Sequence, residues 1–362
     1  MSAIMRLIIL LKVRIFSMKL PLFALLLLSS SSLLATSSFA HAQSLNVLIY
    51  HHIADGTPHS TSTRIDDFVA QLDEFERQGF EIVDLQSALA AIEAGESDGK
   101  KKLALTFDDG FKSVCDTAYP ILKQRKLPFT VFVTTDPVDA NYQGYCSWEQ
   151  LNAMANDGVT IANHTLDHAF LVRESHQNAD WFIQAKDNIQ QAQSRIEQEI
   201  GYAPKLFAYP YGEYNHMLRD WLKEQGYIAF GQQSGTVEAH SDWQALPRFN
   251  AAGHYASLSA LRFKTNARAL PMQFSELPDP VVTDNQPALT VELGKSSEAH
   301  YPHLQCYFNG QTIDIDWHSE HQFTVVPPKP LVSGRHRINC TAPHRNGSPF
   351  YWMSQQWLVV NP

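Results

Sequence analysis

From Leu45 to about Phe274 short apolar runs alternate with amphipathic stretches, the pattern of parallel strands joined by helices. The runs at 45–50, 103–107, 129–133, 159–162, 206–209 and 227–230 predict strands. Between them Ile65, Phe68, Val69, Leu72 and Phe75 recur at helical spacing before Gly79, and Ile189, Ala192, Ile196 and Ile200 do so before Gly201. Each glycine stands where a helix C-terminus is capped. These stripes are core faces. The pattern changes after Pro271, where Leu277-Pro278-Asp279-Pro280 and Asn285-Gln286-Pro287 punctuate the chain and no helical period follows. The later runs at 289–293, 303–308, 312–317, 322–326, 336–340 and 357–360 predict a small β-sandwich, with Asn309-Gly310 as a hairpin turn. The expected organisation is an α/β domain over residues 43–280 and an all-β domain over residues 281–362. The second domain is expected to dock on the first or to help hold a polymer through exposed aromatics such as Trp352.

The first 42 residues stand apart. They hold Arg6, Lys12, Arg14 and Lys19, no acidic residue, and the apolar run Leu20 to Leu28, which a serine tract interrupts. That is the grammar of a signal peptide, with a small-x-small cleavage site at Ala40-His41-Ala42. The run falls short of the roughly 20 residues a membrane span needs. The expectation is an exported protein, periplasmic or secreted, with no stable membrane span after cleavage. The whole chain has a net charge of −9, and removing the leader's four basic residues leaves 24 basic against 37 acidic. Nucleic acid is excluded as a partner, since a phosphate backbone needs clustered Lys and Arg. In an oxidising compartment the four cysteines can all pair, and sequence order suggests Cys115 with Cys146 and Cys306 with Cys340. Cys306, Trp317 and Cys340 have a loosely immunoglobulin-like spacing, but the tight hairpin predicts Cys306 and Trp317 on paired neighbours.

Three polar constellations each follow an apolar strand, and in a parallel α/β barrel those strand ends share one face. After Leu103-Ala104-Leu105 comes Thr106-Phe107-Asp108-Asp109-Gly110, whose two carboxylates can divide the work of binding a cation and handling a proton. Alone, an Asp-Asp-Gly reads as a helix cap. After Val159-Thr160-Ile161 comes Asn163-His164-Thr165-Leu166-Asp167-His168, where two imidazoles four apart can meet one metal if the chain turns. Alone this is weak in a chain with 16 histidines. After Leu206-Phe207-Ala208 comes Tyr209-Pro210-Tyr211-Gly212-Glu213, a stiff aromatic loop able to wall a sugar-sized cleft. Together one carboxylate and two imidazoles make an N2O donor set suited to zinc, with cobalt or nickel as alternatives.

The ordered set resembles carbohydrate esterase family 4, the NodB homology family of polysaccharide deacetylases, over roughly residues 45 to 274. Thr106 to Gly110 is similar to its first motif, His164 to His168 to its second and Phe207 to Gly212 to its third. Tyr50-His51-His52-Ile53 further resembles the branch that contains poly-β-1,6-N-acetylglucosamine deacetylases. The resemblance implies a distorted (β/α) barrel and a metal-dependent enzyme that removes N-acetyl groups from an acetylated polysaccharide. It implies Asp109, His164 and His168 as metal ligands, Asp108 as general base, and the backbone N–H of Tyr211 as an oxyanion donor. Tyr209, Pro210 and Tyr211 are the expected substrate-binding residues. The chain departs from the family where Ala208 and Tyr209 replace an Arg that orients the catalytic Asp; Arg248 is the candidate substitute. The fourth motif is missing, and so is the Leu-x-His of the fifth, leaving His254 as the nearest option for the general acid. The rival readings are an O-acetyl esterase acting on xylan or another glycan, a non-haem iron oxygenase with the same facial donor set, and a degenerate glycan-binding protein. The adjacent Asp108 argues against the oxygenase, and the complete set of ligands and base argues against the binding protein.

Overall fold

Parallel strands need a crossover between them, and the amphipathic stretches supply helices for that purpose. The computed structural model describes residues 44–273 and 277–360, so the expected signal peptide lies outside the described residues. Its first sheet is built on β1 (Leu45–Tyr50), β2 (Lys101–Asp109), β3 (Thr130–Val133), β4 (Thr160–Asn163), β5 (Leu206–Ala208), β6 (Ile228–Phe230) and β7 (Phe249–Asn250). The order is β7-β1-β2-β3-β4-β5-β6, parallel throughout, with the short strand Phe80–Ile82 pairing the start of β2. The result has the parallel strands that the alternation predicts, closed into a half-barrel that matches the (β/α) barrel implied by the resemblance. All six residues of β1 are buried because both faces are covered. Leu48 and Tyr50 pack outward with Phe68, Leu72 and Phe75 of the helix Ile65–Arg77, while Leu45 and Val47 point inward to Ala104, Phe132, Ala208 and Phe230. The helix Trp181–Ile200 ends on Gly201 at φ 80°, a left-handed cap that glycine adopts at little cost.

The C-terminal strands are β8 (Leu289–Glu292), β9 (Gln305–Phe308), β10 (Gln311–Ile313), β11 (Asp316–Ser319), β12 (Gln322–Val325), β13 (Gly334–Pro343) and β14 (Phe350–Val359). They form two sheets, β14-β13-β9-β10 and β8-β12-β11, and the short segments Arg268–Ala269 and Val281–Val282 also pair with β14. Four expectations are corrected. The run 312–317 is two strands, because the chain turns after Ile313 and Trp317 pairs with Phe323 in the other sheet. Cys306 and Trp317 are therefore not on paired neighbours. Cys306 instead lies opposite Cys340 within one sheet and is bonded to it, unlike an immunoglobulin bridge between sheets. The last strand begins at Phe350, far ahead of the apolar run at 357–360, since Ser354, Gln355 and Gln356 are polar yet buried. Trp352 is no exposed platform: its ring sits edge-on to Phe249 at 5.4 Å and against Phe263 at 5.9 Å.

The described residues belong to one compact unit. Val281, Leu358 and Val360 share a hydrophobic cluster with Phe207, Tyr209, Leu218 and Leu222. The second disulfide, Cys115 to Cys146, joins the segment after β2 to the one before the helix Trp148–Asn156. No helix among the described residues is long and apolar enough to cross a membrane.

Candidate active site

All strands of the half-barrel end on one side, so the polar residues that follow them converge there. At the end of β2, Asp109 takes φ 73° and turns its carboxylate to meet two imidazoles. Asp109 Oδ1 lies 3.3 Å from His164 Nε2 and 3.3 Å from His168 Nε2, and the three ligand atoms fall within 4.8 Å of one another. Asp109 Oδ1 and His164 Nε2 are buried without a formed hydrogen bond, a cost of roughly 1–3 kcal/mol for each group that a cation between them would relieve. His164 Nδ1 is 2.7 Å from the carbonyl of Ala208; it donates there, and its Nε2 lone pair faces the site. The residues present thus fit a divalent ion.

Charge follows the same logic. Burial works to raise the Asp109 carboxyl, but His164, His51 and His168 outweigh it and hold the group well below the usual carboxylate range. Burial, then His164, pushes His168 down to about 4, keeping it neutral and able to ligate at neutral pH. His164 is raised: burial opposes its charge, and Asp108 and Asp109 more than compensate.

The turn that carries the histidines is held from nearby. Asn163, at the end of β4, donates to the carbonyl of Ile189 at 2.9 Å and to Gln193 at 3.1 Å, and accepts from the N–H of Thr165 at 2.8 Å. Asn188 accepts from the N–H of Leu166 and donates to Asp167, both at 2.8 Å. Among the described residues seven non-glycines have a left-handed backbone, and Asp109, Thr165, His168 and Tyr211 are four of them. Such strain collects where surrounding structure imposes a functional geometry. Gly110, at φ 79°, must be glycine, because a Cβ there would come within 2.9 Å of Val133 Cγ2.

Asp108 is fully buried beside this set. Arg248, also fully buried, grips it with Nη1 on Oδ1 at 2.6 Å and Nη2 on Oδ2 at 2.8 Å, while its Nε donates to the carbonyl of Gly231 at 3.0 Å. Burial alone would raise the Asp108 carboxyl; Arg248, then His164, lower it below the ordinary value. The bidentate fork fixes both the ionisation and the orientation of the carboxylate.

The third motif forms a tight turn with Tyr211 at φ 59°. The Tyr211 ring meets His168 edge-on at 4.4 Å and stacks on Phe170 at 4.2 Å, so it lines the site. Pro210 is buried in the turn. The expectation that Tyr209 contacts substrate is corrected, since its ring is fully buried and its hydroxyl donates to the carbonyl of Gln244 at 2.8 Å. Tyr209 packs the core.

His254 is exposed on a short helical turn, its ring edge-on to His59 at 4.8 Å. His51 went unassigned in the sequence, although it directly follows a buried parallel strand as His164 does. Its charge bears on Asp108, Asp109 and His168, and its Nδ1 is buried and unpartnered. Next to it, His52 stacks on Phe111 at 3.8 Å, and Phe111 meets Tyr145 at a tilt at 5.0 Å, forming a second aromatic wall.

Residues 95–230 match the family model described as polysaccharide deacetylase. YxkH of Bacillus subtilis (strain 168), whose name gives it provisionally as a polysaccharide deacetylase, is 24% identical over 205 residues, 56% of this chain and 70% of its own. The poly-β-1,6-N-acetyl-D-glucosamine N-deacetylase of Escherichia coli (strain K12) is 22% identical over 60% of this chain, which spans only 38% of that protein. In fold, the half-barrel is similar to the Streptococcus pyogenes deacetylase PplD solved in complex with acetate, with a TM-score of 0.56 and 22% identity over 62% of this chain and 99% of that one. Residues 95–230, somewhat over a third of the chain, thus match the polysaccharide deacetylase family, and the chain is an enzyme.

Proposed function

We propose that the chain is a divalent-metal hydrolase that removes N-acetyl groups from a polymer containing N-acetylglucosamine. The observation that carries this reading is the meeting of Asp109, His164 and His168 within 4.8 Å beside a buried Asp108 clamped by Arg248. A bound ion, zinc by its N2O donor set, supplies Lewis acidity, activating water and polarising an acyl oxygen. Asp108, kept ionised by Arg248, takes a proton from the attacking water. The backbone N–H of Tyr211 donates to the oxyanion that forms on the acetyl carbon. The departing amine then needs a proton. His51, beside both carboxylates with an unpartnered buried nitrogen, is a better-placed donor than the exposed His254. The deacetylase named for poly-β-1,6-N-acetyl-D-glucosamine among the relatives favours that polymer as substrate.

In this reading residues 43–280 are the catalytic domain and residues 281–362 an accessory one. The two disulfides suit an oxidising compartment and an exported protein. The test is acetate release by residues 43–362 from acetylated glucosamine polymers. The reading expects release that a chelator abolishes, and a loss of at least about 10²-fold in Asp108→Asn. Bound metal with no acetate from β-1,6-linked polymer, chitin oligomers or peptidoglycan would refute it.

A further inference from the structure

The two long C-terminal strands form an antiparallel ladder whose faces have different characters. Ile338, Cys340 and Ala342 of β13, with Tyr351, Met353, Trp357 and Val359 of β14, point into the sandwich core. On the opposite face the register sets Arg335 against Leu358, Arg337 against Gln356 and Asn339 against Ser354. This second face lies on the half-barrel, and its polar side chains end on backbone carbonyls of the loops after β5 and β6. Arg335 Nη1 donates to Tyr211 O at 2.6 Å and Gln356 Nε2 to Gly212 O at 2.7 Å. Arg337 Nη2 donates to Gln232 O at 2.7 Å and Ser354 Oγ to Ser234 O at 2.6 Å.

These contacts fall where the turn most needs support. Tyr211 is left-handed, a conformation that costs an L-residue roughly 1–2 kcal/mol. Gly212 sits so close to the next loop that a Cβ would come 2.6 Å from the N of Gln232. The turn's own hydrogen bonds, Gly212 N to Tyr209 O and Glu213 N to Pro210 O, leave the carbonyls of Tyr211 and Gly212 to the ladder. The buried Glu213 is gripped by Arg173 at 2.6 and 2.8 Å and approached by Arg335 Nε at 3.3 Å. Arg335 thus bonds one end of the turn through a backbone oxygen and the other through a carboxylate.

We propose that Arg335 and Gln356 are positioning residues for the deacetylation: from the C-terminal sheet they fix the peptide planes on either side of Gly212, and the tight turn that these planes close, with Glu213 N–H on Pro210 O, holds the Tyr211 N–H toward the acetyl oxygen. This rests on the oxyanion role given to Tyr211 above. A sheet that sequence reads as an accessory module then completes the active site.

The test uses the full chain in four forms, unaltered, Arg335→Ala, Arg335→Lys and Gln356→Leu. Each is measured for acetate-release kinetics, zinc affinity, thermal midpoint and hydrogen exchange of the segment 207–215. The expected result for Arg335→Ala and Gln356→Leu is a fall in kcat of roughly 10- to 100-fold, the scale of a misplaced group, with KM and zinc affinity nearly unchanged. Exchange should quicken in that segment alone, and Arg335→Lys, which keeps one donor, should recover part of kcat. Unchanged kcat and unchanged exchange would overturn the proposal, and so would a fall in kcat that tracks lost zinc or a lowered thermal midpoint. Absence of acetate release from the unaltered chain would refute the reading of function instead, while quickened exchange in Arg335→Ala would still show that Arg335 orders the turn.

Discussion

The active site has two halves that are held in different ways. The candidate metal half, Asp109 with His164 and His168, is braced by neighbours in the chain: Asn163 leads into the turn, and Asn188, Ile189 and Gln193 stand on the helix that follows it. The half to which the proposed function gives the proton and the acyl group is braced from far away. Asp108 depends on Arg248, 140 residues on, and the Tyr211 turn depends on Arg335, 124 residues on. The first half is an ordinary product of one strand, one turn and one helix. The second exists only once the barrel edge and the C-terminal sheet have closed over it. Changes in the metal half should therefore act on metal affinity, and changes in the other half on rate and pH profile.

The sharpest way to break that division is Arg248→Met. It leaves Asp108 buried without a counter-charge, which should cost about 3–5 kcal/mol in a denaturant titration. A depressed carboxyl stabilises the fold above its unfolded pKa of 3.8, and that contribution is lost as pH falls through the folded value. Without Arg248 the Asp108 pKa rises, so the acid limb of the rate profile should move to higher pH while zinc affinity stays close to that of the unaltered chain. Asn163→Ala should do the reverse, weakening zinc binding by roughly 10- to 100-fold, the scale seen when groups supporting metal ligands are removed, and leaving the acid limb in place. Titration calorimetry and pH–rate profiles separate the two. Arg335→Ala lies between them, with lost kcat and unchanged zinc. The smallest effect belongs to Glu238, next to the residue that bridges Leu45 at the start of β1 and so at the opposite end of the barrel. Burial pushes its carboxyl up to about 7, outweighing Arg268 and the N–H of Ala269. A raised acid pKa means that stability falls as pH rises from 4.5 toward 7. Glu238→Gln should flatten that slope in thermal unfolding and leave acetate release unchanged.

The same division explains what the sequence reveals. Six parallel strands and the helices before Gly79 and Gly201 follow from period and caps, both disulfide pairs from sequence order, and the convergence of one carboxylate with His164 and His168 from strand-end placement, while the choice of Asp109 as that carboxylate comes from the family resemblance. Arg248 is legible only as a vacancy in the third motif to be filled from elsewhere. His51 carries the same signal as His164, a histidine directly after a buried strand, but the fifth motif draws attention downstream to His254. The ladder of β13 and β14 is least legible. Arg335, Ser354 and Gln356 lie outside the strands predicted at 336–340 and 357–360, and only the folded chain shows that they and Arg337 face the loops of Tyr211 and Gln232. Trp352 misleads too, since an aromatic ahead of the last apolar run reads as exposed until a barrel is laid on it.

The most direct test of the account is to strip the chain of metal and follow acetate release from β-1,6-linked N-acetylglucosamine oligomers while zinc is added back. The account predicts no release at the start and a rise that saturates at one zinc per chain, with His164→Ala failing to recover. Saturated zinc binding that requires His164, with no acetate released, would contradict it.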